Sequence, residues 1–287
     1  MRSQELGLVL ACELLELDEL HFGLWDEGSE VTLSALPAAQ RRFTEYLLEQ
    51  LPTPACGARP RVLDVGCGTG VMMERLIARG YSVDGVSPSA HLNARAQHRL
   101  AAVGGHDSQV FTARFEDLDR ALLRDAYHIV LFSESFQFVK MDIALALAAR
   151  LLAAEGRMVI CDVFKAGNQG DGGPGDGIIR GGQSLATFRE LAEATGFRLL
   201  KEEDITSRVA PTIDLVADLL ARRVSPAAQA FDAYLSGRSP VSWRLARWLL
   251  QRPLRAVNAR YFGGHYNRRT FERYKTYRYL EYRLGEA

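Results

Sequence analysis

The stretch Val62 to Gly70, VLDVGCGTG, constrains this chain more than any other. An apolar run ends at an acid, Asp64, and passes into glycines at 66, 68 and 70 that open an amphipathic segment. Glycines at this spacing let the backbone turn sharply and approach a ligand with no Cβ in the way. Strand, tight turn and helix therefore follow in that order, with the ligand at the strand's carboxyl end. The spacing is GxGxG, not the GxGxxG that seats a dinucleotide's pyrophosphate on a helix N-terminus. A carboxylate just ahead of the turn suits a ligand bearing an ammonium group better than one bearing phosphates.

The residues after this turn repeat the pattern. RVLDV, SVDGV, QVFTA, HIVLF and RMVICDVF read as strands, and HLNARAQHRLAAV and IALALAARLLAA as helices between them. Such alternation predicts a parallel sheet with crossover helices on both faces. HIVLF and MVIC lack polar alternation, as strands buried on both faces should. The stretch KAGNQGDGGPGDG reads as a mobile active-site loop. A helix from about Ser184 to Thr195 and the strand FRLLKEEDI follow. From Thr206 to about Arg273 the pattern is helical, with Pro211, Pro226, Pro240 and Pro253 dividing it into short helices. YKTYRYLEYRL, alternating and rich in tyrosine, reads as a returning strand. Upstream, Leu6, Leu10, Leu14, Leu17 and Leu20 recur at helical spacing, and a second helix fits Pro37 to Leu51.

The expected fold is α/β: a doubly wound, mostly parallel, seven-stranded Rossmann-like sheet with N-terminal helices and an inserted helical cap. Its parts are a helical latch over 1–60, a ligand-binding core over 61–205, a cap over 206–273 and a final strand over 274–287.

Composition narrows the class. With 47% hydrophobic and 24% charged residues the chain is globular, and equal numbers of basic and acidic residues disfavour wholesale binding of a polyanion. Charge is nonetheless uneven: Met1 to Pro60 holds 4 Lys/Arg against 10 Asp/Glu, and Ser207 to Ala287 holds 15 against 6. Either the ends pair across the fold or the C-terminal part presents a basic surface. Cys12, Cys56, Cys67 and Cys161 lack the spacing of a CxxC redox or zinc site, so no metal is expected. Acids run through the N-terminal apolar stretch, which excludes a signal peptide, and no run of about 20 apolar residues suggests a membrane span. A cytoplasmic protein without stable membrane insertion is expected.

The acid-x-Gly-x-Gly-x-Gly turn in this strand–helix context resembles the class I S-adenosylmethionine (SAM)-dependent methyltransferases over about 60 to 205. The pattern is nearest the sterol, tocopherol and cyclopropane-fatty-acid branch. This resemblance implies SAM as cofactor, held by Asp64, Gly66, Cys67 and Gly68. It places Ser87, beside Pro88, where relatives carry a ribose-binding acid; Asp84 reads as a strand-edge surface residue. In ARFEDL it implies an adenine contact from Phe115 and Glu116, with Asp117 as an alternative. In FSESFQFV it brings Ser133 to the cofactor and Glu134 to the acceptor pocket, with Phe138 where relatives place a histidine and Gln137 beside it. It also implies that the HFGLW segment, with His21, Phe22 and Trp25, folds over cofactor and acceptor; the residues themselves suit equally a packed latch in which His21 and Trp25 join the first helix to the sheet.

Methyl transfer requires donor and nucleophile to be held together and water excluded. If a carbon–carbon double bond is the acceptor, Glu134 and the aromatic groups Phe22, Trp25, Phe136 and Phe138 offer cation stabilisation. If a phenol, acid or amine is the acceptor, Glu134 or His21 serves as base, with Gln137 beside them. In the C-terminal part, which interleaves arginines with tyrosines, His265 and Tyr266 of FGGHYN are the pocket candidates, and RNA is disfavoured as a ligand. The leading reading is methyl transfer to a small molecule, with carbon slightly favoured; O- or N-methylation of an aromatic compound, a NAD-dependent oxidoreductase and a silent SAM-binding module are the alternatives. A homodimer is compatible with the sequence.

Overall fold

In the computed structural model, which describes residues 9, 12–105, 107–118 and 127–285, strand β1 (Arg61–Val65) lies inside an eight-stranded sheet. The other strands are β2 (Ser82–Ser87), β3 (Val110–Thr112), β4 (Tyr127–Ser133), β5 (Leu152–Lys165), β6 (Gln183–Ser184), β7 (Phe197–Asp204) and β8 (Lys275–Leu284). The order is β3-β2-β1-β4-β5-β8-β7, with β6 on the end of β5; β8 runs antiparallel to both its neighbours and the other pairs are parallel. The chain reverses its direction of build between β1 and β4, and open α/β sheets bind ligands at the carboxyl ends of strands beside such a switch point.

Strand residues alternate between two buried layers. Val62, Ile129, Leu131 and Val159 face α1 (Leu36–Gln50) and α2 (Val71–Ala78). Leu63, Val130, Phe132 and Ile160 face α4 (Met141–Leu151) and α5 (Leu185–Ala194), while α3 (Ala90–Ala102) follows β2. Burial on both sides explains the unbroken apolar runs of β4 and β5. The returning strand is present, and its tyrosines Tyr277, Tyr279 and Tyr282 are buried.

Several expectations need correction. Of the first predicted helix, Leu6 and Leu10 lie outside the described residues. The described helical turn ends at Leu15, because Glu16 takes a left-handed φ of 52°, and the chain continues to Leu20 without helix. Asp84 is no surface residue: it is buried and accepts hydrogen bonds from Arg61 (2.6 and 3.0 Å), Tyr127 (2.9 Å) and Gln109 N (2.9 Å). The glycine-rich stretch is anchored, with Asp171 accepting from Tyr274 and Arg273 at 3.0 Å and Asp176 accepting from two glycine amides.

Helices α6 (Thr206–Val209), α7 (Pro211–Leu219), α8 (Ser225–Arg238), α9 (Pro240–Phe262) and α10 (Arg268–Tyr274) fill the connection from β7 to β8. Pro211 and Pro240 stand in first turns, where a missing N–H costs nothing, whereas Pro226 follows a π-helical turn (220–224) through which α7 runs on into α8. Pro253 does not divide α9, whose helical backbone runs through that position. Residues of α6, α7 and α10 pack on the body, whereas among the described side chains of 220–262 none is buried.

Gly66, Gly68 and Gly70 all have positive φ, 83°, 52° and 82°. A Cβ at Gly66 would meet Ser135 Cβ at 2.5 Å, and one at Gly70 would meet Ala96 Cα at 2.8 Å, but one at Gly68 has no neighbour nearer than 3.9 Å. Two of the three glycines are therefore required by packing, and Gly68 leaves its side open. Gly70→Ala is expected to lower unfolding free energy by about 2 kcal/mol or more, and Gly68→Ala by about 1 kcal/mol, in urea denaturation.

Candidate active site

The carboxyl ends of β1, β2, β3 and β4 gather the predicted residues. After β1, Gly66 N donates to Val86 O (2.8 Å) and Gly70 N to Cys67 O (2.9 Å), closing the turn onto β2. Cys67 turns its thiol inward, where a Cβ at Gly85 would touch it, so only its backbone faces the turn. Burial pushes that thiol's pKa far up. Ser135 Oγ donates to Val65 O and ties the loop after β4 to the same turn.

Asp64 is 2% exposed and its Oδ2 has no hydrogen-bond partner among the described residues. Burial alone pushes its pKa up to about 7. Buried polar atoms are normally satisfied, so an orphaned carboxylate oxygen beside a glycine turn implies a missing donor. Asn93, at the start of α3, repeats the pattern: its Nδ2 donates to Ser87 O and Thr112 Oγ1, both at 2.9 Å, while its buried Oδ1 has no partner among the described residues. Ser87 Oγ accepts weakly from Ser89 N (3.3 Å) and keeps its own hydrogen to donate; Pro88, between them, is exposed. Phe115 packs edge-on against Phe132 at 5.3 Å, leaving its backbone as the part that could meet a ligand. Glu116 is held by Arg114 at 2.5 Å. Ser133 ends β4 and is half-buried.

Next to this cradle, Glu134 Oε1 accepts from Phe22 N (2.8 Å) and Tyr277 OH (2.6 Å). Its Oε2 carries no hydrogen bond to the described residues. Burial raises its pKa against the opposing pull of His21 and Tyr277. Glu134 also has φ 54°, a conformation that a residue other than glycine adopts at a cost.

His21 Nδ1 faces Phe22 O at 2.8 Å and Nε2 faces Thr44 Oγ1 at 3.0 Å, whose own hydrogen goes to Glu19. Both ring nitrogens must therefore donate, which describes an imidazolium between Glu19 and Glu134. Burial lowers its pKa, but the Glu19 and Glu134 carboxylates more than reverse that, and the net direction is upward.

The segment from Asp18 to Trp25 crosses the whole site. Thr69 Oγ1 of the glycine turn donates to Asp18 O (2.5 Å), Phe22 meets Glu134, and Trp25 Nε1 donates to Thr212 Oγ1 of α7 (2.9 Å). Trp25 is buried with Leu17, Leu36 and Leu215, so it serves as a packing anchor and has no polar atom left for an acceptor. Phe136 likewise sits in the aromatic core with Phe132, Phe164 and Phe188 and cannot stabilise a cation in a pocket. Phe22 rests on Phe271 and Tyr277, at 5.8 and 5.7 Å, and Phe138 is exposed. Gln137 is committed to the buried Asp162, through its N at 3.0 Å and Nε2 at 3.1 Å, rather than free. His265 is exposed; Tyr266 is half-buried on Tyr261 at 5.0 Å.

A family model for the methyltransferase domain matches residues 37–202. The chain belongs to this methyltransferase family. An uncharacterized methyltransferase of Geobacillus thermodenitrificans is 28% identical over 203 residues, 70% of this chain and 85% of that one. The malonyl-acyl-carrier-protein O-methyltransferase of Bacillus cytotoxicus is 28% identical over 123 residues, 41% of this chain and 40% of that one. In fold, the chain matches geranyl diphosphate C-methyltransferase of Streptomyces coelicolor A3(2) with a TM-score of 0.65 at 16% identity, over 95% of this chain and 92% of that one.

The methyltransferase uses SAM, and its own residues fit that ligand: Asp64 lacks a donor such as an ammonium, and Gly68 leaves room for close approach. Asn93, Tyr277 and Thr212 were not legible beforehand. Asn93 follows Ser87 closely on the first turn of a helix and could have been noticed; Tyr277 is 143 residues from Glu134 and had no local signal.

Asp64→Asn is expected to weaken SAM binding at least about tenfold, a loss of about 1.4 kcal/mol. A carboxyl with a raised pKa supports the fold below its ordinary value and loses that support as pH rises toward 7. The ligand-free Asp64→Asn protein should therefore melt no lower than the parent at pH 8 in calorimetry, separating lost binding from lost folding.

Proposed function

We propose that this methyltransferase acts on a small-molecule acceptor held between Glu134, Phe22 and Phe138, with the segment Asp18 to Trp25 as a latch and the α6, α7 and α10 parts of the insertion as its cap. The observation that carries the reading is Glu134, kept in a strained backbone conformation with one oxygen fixed by two donors and the other without a hydrogen bond among the described residues. A glycine would relieve the strain, so the position is held for its carboxylate.

Bound SAM supplies an electrophilic methyl group. Asp64 would hold its ammonium, and Ser87 its ribose. Asn93 would accept from the same nucleoside, and the backbone of Gly66, Cys67 and Gly68 would line its path. Phe115 and Glu116 are assigned to the adenine. Phe22 N and Tyr277 OH orient Glu134, while the His21 imidazolium favours its ionised form. Ionised, Glu134 Oε2 can take a proton from an acceptor as the new bond forms, whether that proton leaves carbon, oxygen or nitrogen. Phe22, Phe138 and Tyr266 present aromatic surface that suits an apolar acceptor, which supports carbon as the methylated atom. The latch keeps water from the reacting atoms.

Incubation of the full chain with methyl-labelled SAM and a fractionated cell extract tests this reading. Label should enter organic-soluble small molecules; label confined to protein or RNA would overturn it. With the acceptor so identified, Glu134→Gln should lower kcat by about 10²–10⁴-fold with SAM affinity unchanged. Tyr277→Phe should lower kcat less, because it removes an orienting donor and leaves the carboxylate.

A further inference from the structure

The arm formed by residues 220–262 is unlike the rest of the molecule. It holds eight arginines, at 222, 223, 238, 244, 247, 252, 255 and 260, against one acid, Asp232. That acid is already engaged, accepting from Trp243 Nε1 at 3.0 Å and Arg247 at 3.4 Å. Of the two readings of the uneven charge, pairing across the fold is represented among the described residues by one ion pair between the ends, Arg208 with Asp26 at 3.4 Å. Arg222 pairs with Asp218 of α7, and the rest of the arm's basic excess is left facing solvent.

The same arm exposes large apolar side chains. Val241, Leu245, Trp248 and Leu249 recur at i, i+4, i+7 and i+8 on α9, which places them along one stripe, and Trp248 is 63% exposed. Arg244 and Arg255 border this stripe and Arg252 continues it. Phe231 of α8 is also exposed and lines an apolar cavity of about 730 Å³ at the root of the arm, with Leu14, Leu33 and Leu219. Four large apolar side chains in water are unfavourable by about 1.5–3 kcal/mol each relative to burial.

From this juxtaposition of the exposed apolar stripe with Arg244, Arg252 and Arg255 along it, we propose that α9 docks the methyltransferase on the surface of an anionic lipid bilayer. A helix lying in the interface plane needs an apolar stripe flanked by cations, with tryptophan at headgroup depth. Lipid phosphates match the guanidinium groups, and acyl chains match the stripe. A second copy of the arm would satisfy the stripe but set arginines against arginines. This is peripheral docking, since among the described residues no helix is long and apolar enough to cross a membrane.

The test is sedimentation of the full chain with phosphatidylcholine vesicles, with and without phosphatidylglycerol, while tryptophan emission is recorded. Binding to the anionic vesicles, weakened by salt and accompanied by a blue shift that Trp248→Phe reduces, is expected. Replacing Arg244, Arg252 and Arg255 by glutamine should weaken partitioning by about a hundredfold, at about fivefold per arginine, with SAM binding retained. No binding at low salt, equal binding to neutral vesicles, undiminished binding by the glutamine variant, or a solution dimer that already shields Trp248 would overturn the proposal.

Discussion

Asp64 places a carboxylate inside the sheet, in register with Gly85 of β2 on one side and Leu131 of β4 on the other. One of its oxygens has no partner among the described residues, and burial holds its proton on far above the ordinary carboxylate range. Such a group weakens the fold at neutral pH, and it is tolerable only if something donates to it in the working state. The surrounding architecture follows from that requirement. Parallel strands bring four loops to one edge, glycine turns let the backbone close down, and the switch point between β1 and β4 leaves the opening in which a donor can sit.

The second organising element is the segment from Asp18 to Trp25. It contacts the glycine turn through Thr69, the Glu134 carboxylate through Phe22 N, and the inserted helices through Trp25 and Thr212. Cofactor cradle, Glu134 and α7 are thereby coupled through one short stretch of chain. His21 of this segment stands between the carboxylates of Glu19 and Glu134, which compensates part of their desolvation. Loosening of this stretch would expose the proposed reacting centre and would also remove the group that orients Glu134. In the proposed function, closure and alignment are therefore one event.

Much of this was legible in the residues. Strand and helix order, the glycine turn and the final tyrosine-rich strand follow from local patterns, because a doubly buried strand and an amphipathic helix each leave their mark within a few residues. The candidate carboxylates Asp64 and Glu134 were legible because they stand at strand ends. What local pattern could not supply was direction. Trp25, Phe136 and Gln137 have the chemistry of site residues, but tertiary packing turns the first two into core and commits the third to Asp162. Asp84 looked superficial and is buried because Arg61 and Tyr127 close over it. Tyr277 was invisible as a partner of Glu134, since only the antiparallel return of β8 brings it there.

The most direct test of the central claim is the proton balance of cofactor binding. With burial raising its pKa to about 7, the ligand-free Asp64 carboxyl keeps its proton above the ordinary carboxylate range, and pairing it with an ammonium group would ionise it. Titration calorimetry with S-adenosylhomocysteine below pH 7, in buffers of different ionisation enthalpy, should therefore show proton release on binding that Asp64→Asn abolishes. Tight binding with no proton release, unchanged by that substitution, would contradict the account.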